Sequence, residues 1–308
     1  MCLIEQRWET VGDLNDILHD FEPSLGLLGG DPTPLEGGIT NRNYRVRLGD
    51  GEYVLRLHGK DTNLLGISRD AERAANSAAA RLGIAPDVAG SFEGGLLTRW
   101  VACAPLASEE IAARAAEVGR ALRAFHDSGV ELPAAFWVPD LLDAYAAVLA
   151  ARGAEPTDDY ARARELAGKI VAALPAGARS PCHNDLLPGN LVRERESDRI
   201  IIVDWEYAGM GHPCFDLGNL SVNNGFDEDD DERLLSAYHG AVPSPAQRAT
   251  LKLMRLLSDI REAAWGVMQA RVSDLDFDFA GYAESHSARL RTALDTGRLG
   301  EWLAAAGN

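Results

Sequence analysis

The chain contains two neighbouring segments, HNDLLPGN (183–190) and IIIVDWEYAG (200–209), that constrain its fold more than any other part of the sequence. Between them, residues 191–194 have the length of a short strand and residues 195–198 form a charged turn. Residues 200–203 are an unbroken β-branched run, which is typical of a buried strand. We therefore predict a β-hairpin whose open end brings together the polar side chains that flank its two strands.

Three polar residues at this open end have the spacing of a phosphoryl-transfer site. Asp185 is followed five residues later by Asn190, and Asp204 ends the second strand, as in the catalytic loop of protein kinases. Asp185 is the candidate catalytic base for an acceptor hydroxyl, and Asn190 and Asp204 are the candidate Mg²⁺ ligands. The alternative is a polar turn beside an ordinary buried hairpin. His183 and the bend at Pro188–Gly189 favour the catalytic interpretation.

Composition restricts the class of protein and its partners. The chain has 308 residues, of which 46% are hydrophobic, enough for one large or two modest globular domains. A formal net charge of −17 opposes general binding to nucleic acid or anionic membranes and is compatible with a cationic substrate. No apolar run is long enough for membrane insertion, the N-terminus lacks a signal-peptide pattern, and the four cysteines are scattered. We therefore expect a cytoplasmic protein with free thiols.

The pattern of apolar residues changes along the chain and predicts an α+β fold with two lobes. Alternating apolar residues at 44–48 and 53–57, on either side of a Gly-Asp-Gly turn, predict a β-hairpin. An Ala-rich helix follows at 68–83, and helical patterns dominate the second part of the chain. We predict a small β-rich N-lobe (1–101) that binds nucleotide. A larger, mostly helical C-lobe (102–308) is expected to carry the catalytic loop, the metal site and the acceptor pocket.

The segment LEGGITNRNYRV (35–46) is the candidate phosphate-binding turn. Its adjacent glycines permit backbone geometries closed to other residues and leave room for a phosphate to approach. Exposed backbone amides are the candidate donors to the phosphate oxygens. The residues concerned are Gly38, Ile39, Thr40 and Asn41. The alternative is a plain β-hairpin turn, which a short Gly-Gly pair does not exclude.

A cation and a linking strand complete the candidate nucleotide site. Arg56, on the second strand of the predicted hairpin, is the candidate cation for the α- and β-phosphates, held in place by Glu72 of the following helix. The alternative is a surface ion pair, because Arg56 lies on the face opposite the apolar residues of its strand. The segment LLTRWVA (96–102) links the lobes, and its backbone around Arg99 and Val101 is the candidate contact for the edge of adenine.

Five motifs, taken together in their order, resemble the choline/ethanolamine kinases, within the aminoglycoside-phosphotransferase-like, protein-kinase-like superfamily. They are GGITNRNYRV, VLRLHG, HNDLLPGN, IVDWEYAG and FDLGN. The run REAAWGVMQARVSDLDFDFAGYA (261–283) also resembles choline kinases, and the similarity extends over roughly residues 35–290. The resemblance implies a protein-kinase-like fold and a small-molecule kinase.

The resemblance also implies roles for individual residues. It gives Asp185 as the base or the group that orients the hydroxyl. It gives Asp216 as a structural acceptor that ties down the catalytic loop, with His183 as a second structural residue. Arg56 agrees with the resemblance, because choline kinases also carry Arg where protein kinases carry Lys.

For the acceptor pocket, the resemblance points to Tyr207 and Trp265 as members of an aromatic box. A quaternary ammonium ion donates no N–H hydrogen bond, so aromatic faces and nearby carboxylates hold it. Glu262 stands where eukaryotic choline kinases carry a second tryptophan, and its carboxylate favours a primary amine such as ethanolamine. Core packing is the alternative for Trp265, which shares helical spacing with apolar neighbours. Trp205, Phe215 and Phe226 are further candidates for the aromatic walls of this pocket, and Glu206 and Asp259 for its negative charge.

Together, these expectations describe an ATP- and Mg²⁺-dependent kinase that phosphorylates the hydroxyl of choline or a related amino alcohol. One alternative is the same chemistry on an aminoglycoside, thiamine or an amino sugar. Another is a non-catalytic nucleotide-binding scaffold, against which the intact Asp185, Asn190 and Asp204 argue. The expected partner is a small cationic alcohol, with no nucleic acid and no membrane insertion, and a homodimer is the oligomer considered.

Overall fold

The chain folds into two compact units. A computed structural model describes residues 11–35, 41–59, 66–174, 177 and 179–307. The α+β class is confirmed, with a small antiparallel sheet and a mostly helical remainder. The smaller unit comprises residues up to 62 together with 86–102, and the larger comprises residues 63–85 and 103–308. The helix expected at 68–83 therefore belongs to the larger unit, and the lobe boundary between 101 and 102 stays a prediction.

A five-stranded antiparallel sheet forms the smaller unit. Its elements are α1 (Val11–His19), α2 (Glu22–Leu25), β1 (Thr33–Leu35), β2 (Arg42–Leu48), β3 (Gly51–Leu57), β4 (Val88–Phe92) and β5 (Gly95–Arg99). The strand order is β1-β2-β3-β5-β4. The hairpin predicted from the alternating residues is confirmed by the pairing of β2 with β3, in which Val46 lies opposite Tyr53.

The alternation in β2 and β3 directs one face of the sheet into a core. Leu48 and Leu55 are fully buried on this face, and Leu18 of α1 packs against it. The turn between the strands contains Gly49 with φ 54°, and a Cβ there would lie 2.6 Å from the Leu25 carbonyl oxygen. The turn thus requires glycine both for its backbone conformation and for the close approach of α2.

The larger unit contains the remaining helices and two small antiparallel sheets, ordered β6-β8-β9 and β10-β7. Its elements are α3 (Arg69–Arg81), β6 (Cys103–Pro105), α4 (Ser108–Ala113), α5 (Ala115–His126), α6 (Val138–Ala151), α7 (Asp158–Ala173), β7 (Ser180–Cys182), β8 (Leu191–Glu194), β9 (Ile200–Ile202), β10 (Gly209–Gly211), α8 (Pro213–Asn223), α9 (Glu228–His239), α10 (Pro245–Val272), α11 (Phe279–Asp295) and α12 (Leu299–Ala306).

The 28-residue helix α10 is the main support of this unit, and it packs against α6, α8, α11 and α12. It begins at a capping box, in which Ser244 accepts from the Gln247 amide and the Gln247 side chain accepts from the Ser244 amide. Helices α8 and α10 cross closely at Gly218, where a Cβ would lie 2.5 Å from the Met254 Cβ. This contact fixes α8, and with it the residues that α8 presents to the catalytic loop.

No helix in the described parts of the chain combines the length and the apolar character that crossing a membrane requires.

Candidate active site

The hairpin predicted between residues 191 and 203 is confirmed. Strands β8 and β9 pair antiparallel, with Leu191 opposite Ile202. A hydrogen bond from the Val203 amide to the Asn190 carbonyl oxygen (2.9 Å) closes the open end directly before Asp204. Strand β6 pairs along the other edge of β8, so the hairpin is one part of a three-stranded sheet. Backbone hydrogen bonds therefore hold Asn190 beside the residue that precedes Asp204.

Asn190 is oriented by the catalytic candidate Asp185. Its Nδ2 donates to the Asp185 carbonyl oxygen (2.8 Å) and to the Asp185 carboxylate (3.2 Å). Because the nitrogen faces Asp185, Oδ1 of Asn190 points away from it and is the atom that can bind a metal ion. The Asp185 side chain is buried, and burial raises its pKa, while the Arg261 guanidinium lowers it. Nearby carboxylates, Glu262 first among them, raise it further.

Asp204 and Asn190 fit a magnesium ion. Asp204 adopts a left-handed backbone with φ 64°, which Asp tolerates better than most residues, at the end of β9. The pair offers a carboxylate and an amide oxygen, the hard oxygen ligands that Mg²⁺ prefers alongside phosphate and water. Asp204 also raises the pKa of Asp185, so the two carboxylates share one electrostatic environment.

A buried network, which we call the loop tether, anchors the segment that precedes Asp185. It consists of Asp216, His126, His183, Asn184 and Tyr238. One Asp216 carboxylate oxygen accepts from the His183 amide (2.8 Å) and the other accepts from the Asn184 amide (2.7 Å). Ring nitrogens of His126 contact the first oxygen (3.0 Å) and the Tyr238 hydroxyl (2.8 Å). Both oxygens of the fully buried Asp216 are thus paired.

The His183 ring links the backbone at Asp185 to the backbone directly before Asp204. Its Nδ1 accepts from the Asp185 amide (3.2 Å), which assigns the proton to Nε2, and Nε2 then donates to the Val203 carbonyl oxygen (3.0 Å). The ring packs against Trp205, with centroids 4.6 Å apart. Trp205 is fully buried and donates through Nε1 to the Ile202 carbonyl oxygen. Trp205 therefore lies in the core beneath the site, where the sequence suggested a pocket wall.

Among the described residues, one group of side chains has the geometry for a metal site of His, Cys and carboxylate ligands. It contains His126, Cys182 and Asp216, all buried. The His126 and Asp216 atoms already make the hydrogen bonds of the loop tether. Burial raises the pKa of the Cys182 thiol well above its usual value, which disfavours the thiolate that binds metal. The group is better explained as part of the tether.

The structure brings together the two aromatic residues that were expected in the acceptor pocket. Trp265 of α10 donates through Nε1 to the Tyr207 hydroxyl (2.9 Å), and both side chains are buried. The Trp265 ring also makes edge contacts with Phe279 and Tyr282, with centroids 5.6 and 5.5 Å apart. Burial raises the pKa of Tyr207 well above its usual value, so its hydroxyl keeps its proton.

Arg261 lies between these aromatic residues and the catalytic loop. Its Nη1 donates to the Asp185 carboxylate (3.2 Å) and to Glu262 (2.7 Å), and its guanidinium carbon lies 4.3 Å from the Tyr207 ring centroid. The second Glu262 oxygen accepts from the Tyr282 hydroxyl (2.9 Å). We call Asp185, Tyr207, Arg261 and Glu262 the acceptor cluster. The sequence signal for Arg261 was a charged residue on an apolar helical stripe, which requires a buried partner.

Of the remaining acceptor candidates, Phe215 lies in the same buried cluster as Tyr207 and Trp265. Phe215 packs against Phe136, with ring centroids 5.2 Å apart, and Phe226 is buried in a separate core cluster. Asp259 accepts from Arg289 and contacts the His286 ring, so its charge is already paired. The contacts of Phe226 and Asp259 are structural ones.

Of the candidate nucleotide residues in the smaller unit, Gly38, Ile39 and Thr40 lie outside the described residues. Asn41 is buried, and its side-chain oxygen accepts from the Gly59 amide at 3.4 Å. The others follow. Arg56 is half-buried on β3, Arg99 is exposed at the end of β5 with its amide bonded to the Asp87 carbonyl oxygen, and Val101 is half-buried two residues later.

Glu72, the proposed partner of the nucleotide cation, is buried on α3. Arg69, one turn earlier on the same helix, donates to Glu72 (2.7 Å) and to Glu206 (3.2 Å). Sequence reasoning missed Arg69, because Glu206 lies 137 residues away along the chain and no local pattern links the two. The same guanidinium nitrogen of Arg69 therefore binds both Glu206 and Glu72, and this ion pair fixes Glu206 to α3.

Comparison with known proteins gives a consistent result. A model of the phosphotransferase enzyme family matches residues 31–251. A probable ethanolamine kinase of Arabidopsis thaliana is 24% identical over 322 aligned positions, which cover 91% of this chain and 81% of that protein.

Two solved structures extend the similarity to the fold. A choline/ethanolamine kinase family protein from Mesorhizobium loti is 29% identical, with a TM-score of 0.75 over 94% of this chain and 99% of that one. The structure of LicA in complex with AMP has a TM-score of 0.70 at 23% identity, over 91% of this chain and 99% of that one.

Proposed function

The chain belongs to the phosphotransferase enzyme family, and from that premise we propose that it transfers the γ-phosphoryl group of ATP, with Mg²⁺, to the hydroxyl of a small amino alcohol of the choline and ethanolamine class. The observation that carries the proposal is that hydrogen bonds link Asn190 both to Asp185 and to Val203, the residue directly before Asp204, at one hairpin end. The names of the relatives support the acceptor class.

In the proposed reaction, the acceptor hydroxyl donates a hydrogen bond to the Asp185 carboxylate. As the hydroxyl oxygen bonds to the γ-phosphorus, the bond from that phosphorus to the bridging oxygen of ADP breaks, and Asp185 takes the hydroxyl proton. Burial and the neighbouring carboxylates raise the pKa of Asp185 to about 8, although the Arg261 guanidinium limits that rise, so Asp185 has the proton affinity of a base near neutral pH.

The metal would be held by Asn190 Oδ1 and the Asp204 carboxylate. When bound, Mg²⁺ neutralises charge on the phosphate oxygens as it develops. The loop tether contributes by fixing the backbone on both sides of Asn184, so that Asp185 does not need to be ordered when the acceptor binds.

The remaining expectations stay part of the proposal. The nucleotide is assigned to the lobe formed by residues 1–101, and catalysis to residues 102–308. The enzyme is expected to be cytoplasmic and to act on a small-molecule partner, with a homodimer as the oligomer to test. The proposed nucleotide-binding residues are Gly38, Ile39, Thr40, Asn41, Arg56, Glu72, Arg99 and Val101.

The proposal is tested by a coupled ADP-release assay over choline, ethanolamine, thiamine, amino sugars and aminoglycosides, ranked by kcat/KM. We expect Mg²⁺-dependent turnover with amino alcohols, because the acceptor cluster is buried and small. A preference for aminoglycosides, which are larger polycations, would contradict the proposed acceptor class. Silence across the whole panel would contradict the choline and ethanolamine class of acceptor, and silence with every hydroxyl acceptor, with ATP and with GTP, would support the scaffold alternative.

A further inference from the structure

The acceptor cluster already contains a cation. Arg261 is 1% exposed, and its guanidinium lies over the face of Tyr207, one of the two rings assigned to the substrate's ammonium group. Burial lowers its pKa, but Glu262 and other neighbours raise it well above its usual value, so Arg261 keeps its charge. A quaternary ammonium ion placed on this ring would lie beside a like charge, which is unfavourable in a buried site.

Among the described residues, one edge of this guanidinium has hydrogen-bond partners and the other has none. Nη1 donates to Asp185 and Glu262. Within the described part of the chain, the buried Nε and Nη2 of Arg261 have no hydrogen-bond partner. The buried Tyr145 hydroxyl makes only a weak hydrogen bond to Arg261, and among the described residues it has no partner of ordinary hydrogen-bond geometry. Buried N–H groups are rarely left unpaired, so this edge is suited to a ligand.

The two unpaired nitrogens define the chemistry of that ligand. Nε and Nη2 lie on the same edge of the planar guanidinium and direct two parallel N–H bonds outward. This is the geometry with which arginine binds both oxygens of a carboxylate. The Asp185 carboxylate, beside Nη1, is suited to the acceptor's hydroxyl. Glu262, which already accepts from Arg261 and Tyr282, adds negative charge for the acceptor's ammonium group.

We propose that the acceptor of this enzyme is an amino alcohol that carries a carboxylate, and that Arg261 binds this carboxylate through Nε and Nη2. The proposal rests on the proposed phosphotransferase function and narrows its substrate class to small hydroxylated amino acids. Arg261 then selects against choline, whose trimethylammonium group has neither a carboxylate for the arginine nor N–H bonds for Glu262.

Acceptor pairs that differ only by a carboxylate test this directly. L-Serine is ethanolamine with a carboxylate added, and L-homoserine is 3-aminopropan-1-ol with a carboxylate added. In at least one pair we expect the carboxylated member to have a kcat/KM at least tenfold higher. The ratio within a pair cancels any general effect on Asp185, which every acceptor uses.

Two variants locate the preference. Arg261→Lys keeps the charge but removes the two-pronged edge, and Arg261→Ala removes both. We expect the carboxylate preference to fall by at least about tenfold in Arg261→Ala, to near unity, and by less in Arg261→Lys. Arg255→Lys is the matched control, because Arg255 lies on the same helix and binds Asp231 away from this site. Its ratio should equal that of the unmodified enzyme.

Calorimetric titration without nucleotide separates this proposal from the phosphotransferase proposal. Binding of L-serine or L-homoserine more tightly than the matching amine, lost in Arg261→Ala, would support the role of Arg261 even if no acceptor were turned over. Equal or tighter binding of the plain amines, or a ratio that Arg261→Ala leaves unchanged, would overturn it. Absence of ADP release with every acceptor would count against the phosphotransferase function instead.

Discussion

In the loop tether, both oxygens of Asp216 accept backbone N–H groups and both ring nitrogens of His126 have partners. In the acceptor cluster, which is equally buried, the hydrogen bonds that Arg261 makes to described residues all come from Nη1. A fully paired buried network holds a backbone in one conformation, whereas an incompletely paired one has bonding capacity that a ligand can use. This difference in hydrogen bonding distinguishes the residues that hold the backbone of the site in place from those that bind the acceptor.

Asp185 is hydrogen-bonded to both regions, so its replacement should have the largest effect. Its amide bonds to His183 of the tether, and its carboxylate bonds to Arg261. We expect Asp185→Asn to lower kcat by about 10³-fold, because a general base contributes that order of rate. A coupled ADP-release assay measures kcat. Titration calorimetry should show that the affinity for nucleotide is unchanged.

The control for this change is Asp159→Asn, at a carboxylate whose side chain is 86% exposed and paired only with Arg162 in the described contacts. Its kcat should match that of the unmodified enzyme. Near-normal turnover in Asp185→Asn would contradict the assignment of Asp185 as the catalytic base.

Asp216→Asn should show how much the tether contributes to stability. The variant replaces a charged acceptor of two backbone N–H groups by a neutral one, and we expect the free energy of unfolding to fall by about 3 kcal/mol. Arg261→Lys is the counterpart in the acceptor cluster and should change it by less than about 1 kcal/mol, because a cation is kept beside Asp185. Urea unfolding measures the free energy of unfolding of both variants. An equal fall in the two variants would contradict the proposed difference between the two regions.

Asp204→Ala should affect nucleotide binding in the presence of Mg²⁺. Removing the carboxylate leaves Asn190 as the remaining ligand of the pair, so we expect at least about tenfold weaker binding of ATP. Titration calorimetry with Mg²⁺ and with a chelator measures the difference. The unmodified enzyme should lose affinity on chelation, whereas Asp204→Ala should show little further loss; an unchanged Mg²⁺ response in the variant would argue against the metal role.

Tyr207→Phe should have the smallest effect, on the boundary of the acceptor cluster. It removes the hydroxyl that accepts from Trp265 and keeps the ring beneath Arg261. We expect the acceptor KM to rise by a few-fold, about 1 kcal/mol or less, with the KM for ATP unchanged. An equal rise in both constants would mean that the ring pair supports the fold rather than the acceptor.

The sequence predicted the hairpin well because its determinants are local. The β-branched run at 200–203 and the Pro188–Gly189 bend together specify two strands and the turn before them. The sequence also grouped Asp185, Asn190 and Asp204 correctly at one end, since β8 and β9 are adjacent along the chain.

Partners distant along the chain could not be found in this way. His126 reaches Asp216 across 90 residues, and Arg261 reaches Asp185 across 76. Each looks like a polar residue on an apolar helical stripe, which predicts burial and a partner without naming it. Trp205 shows the converse error, because its position beside Asp204 suggested the pocket while the turn after β9 directs it into the core.

The most direct test of the central claim is ³¹P NMR of a reaction with ATP, Mg²⁺ and an amino-alcohol acceptor. The account predicts a phosphate monoester signal that grows in step with ADP in the unmodified enzyme and is missing in Asp185→Asn over the same time. Formation of ADP and inorganic phosphate without a monoester, or equal monoester formation by Asp185→Asn, would contradict it.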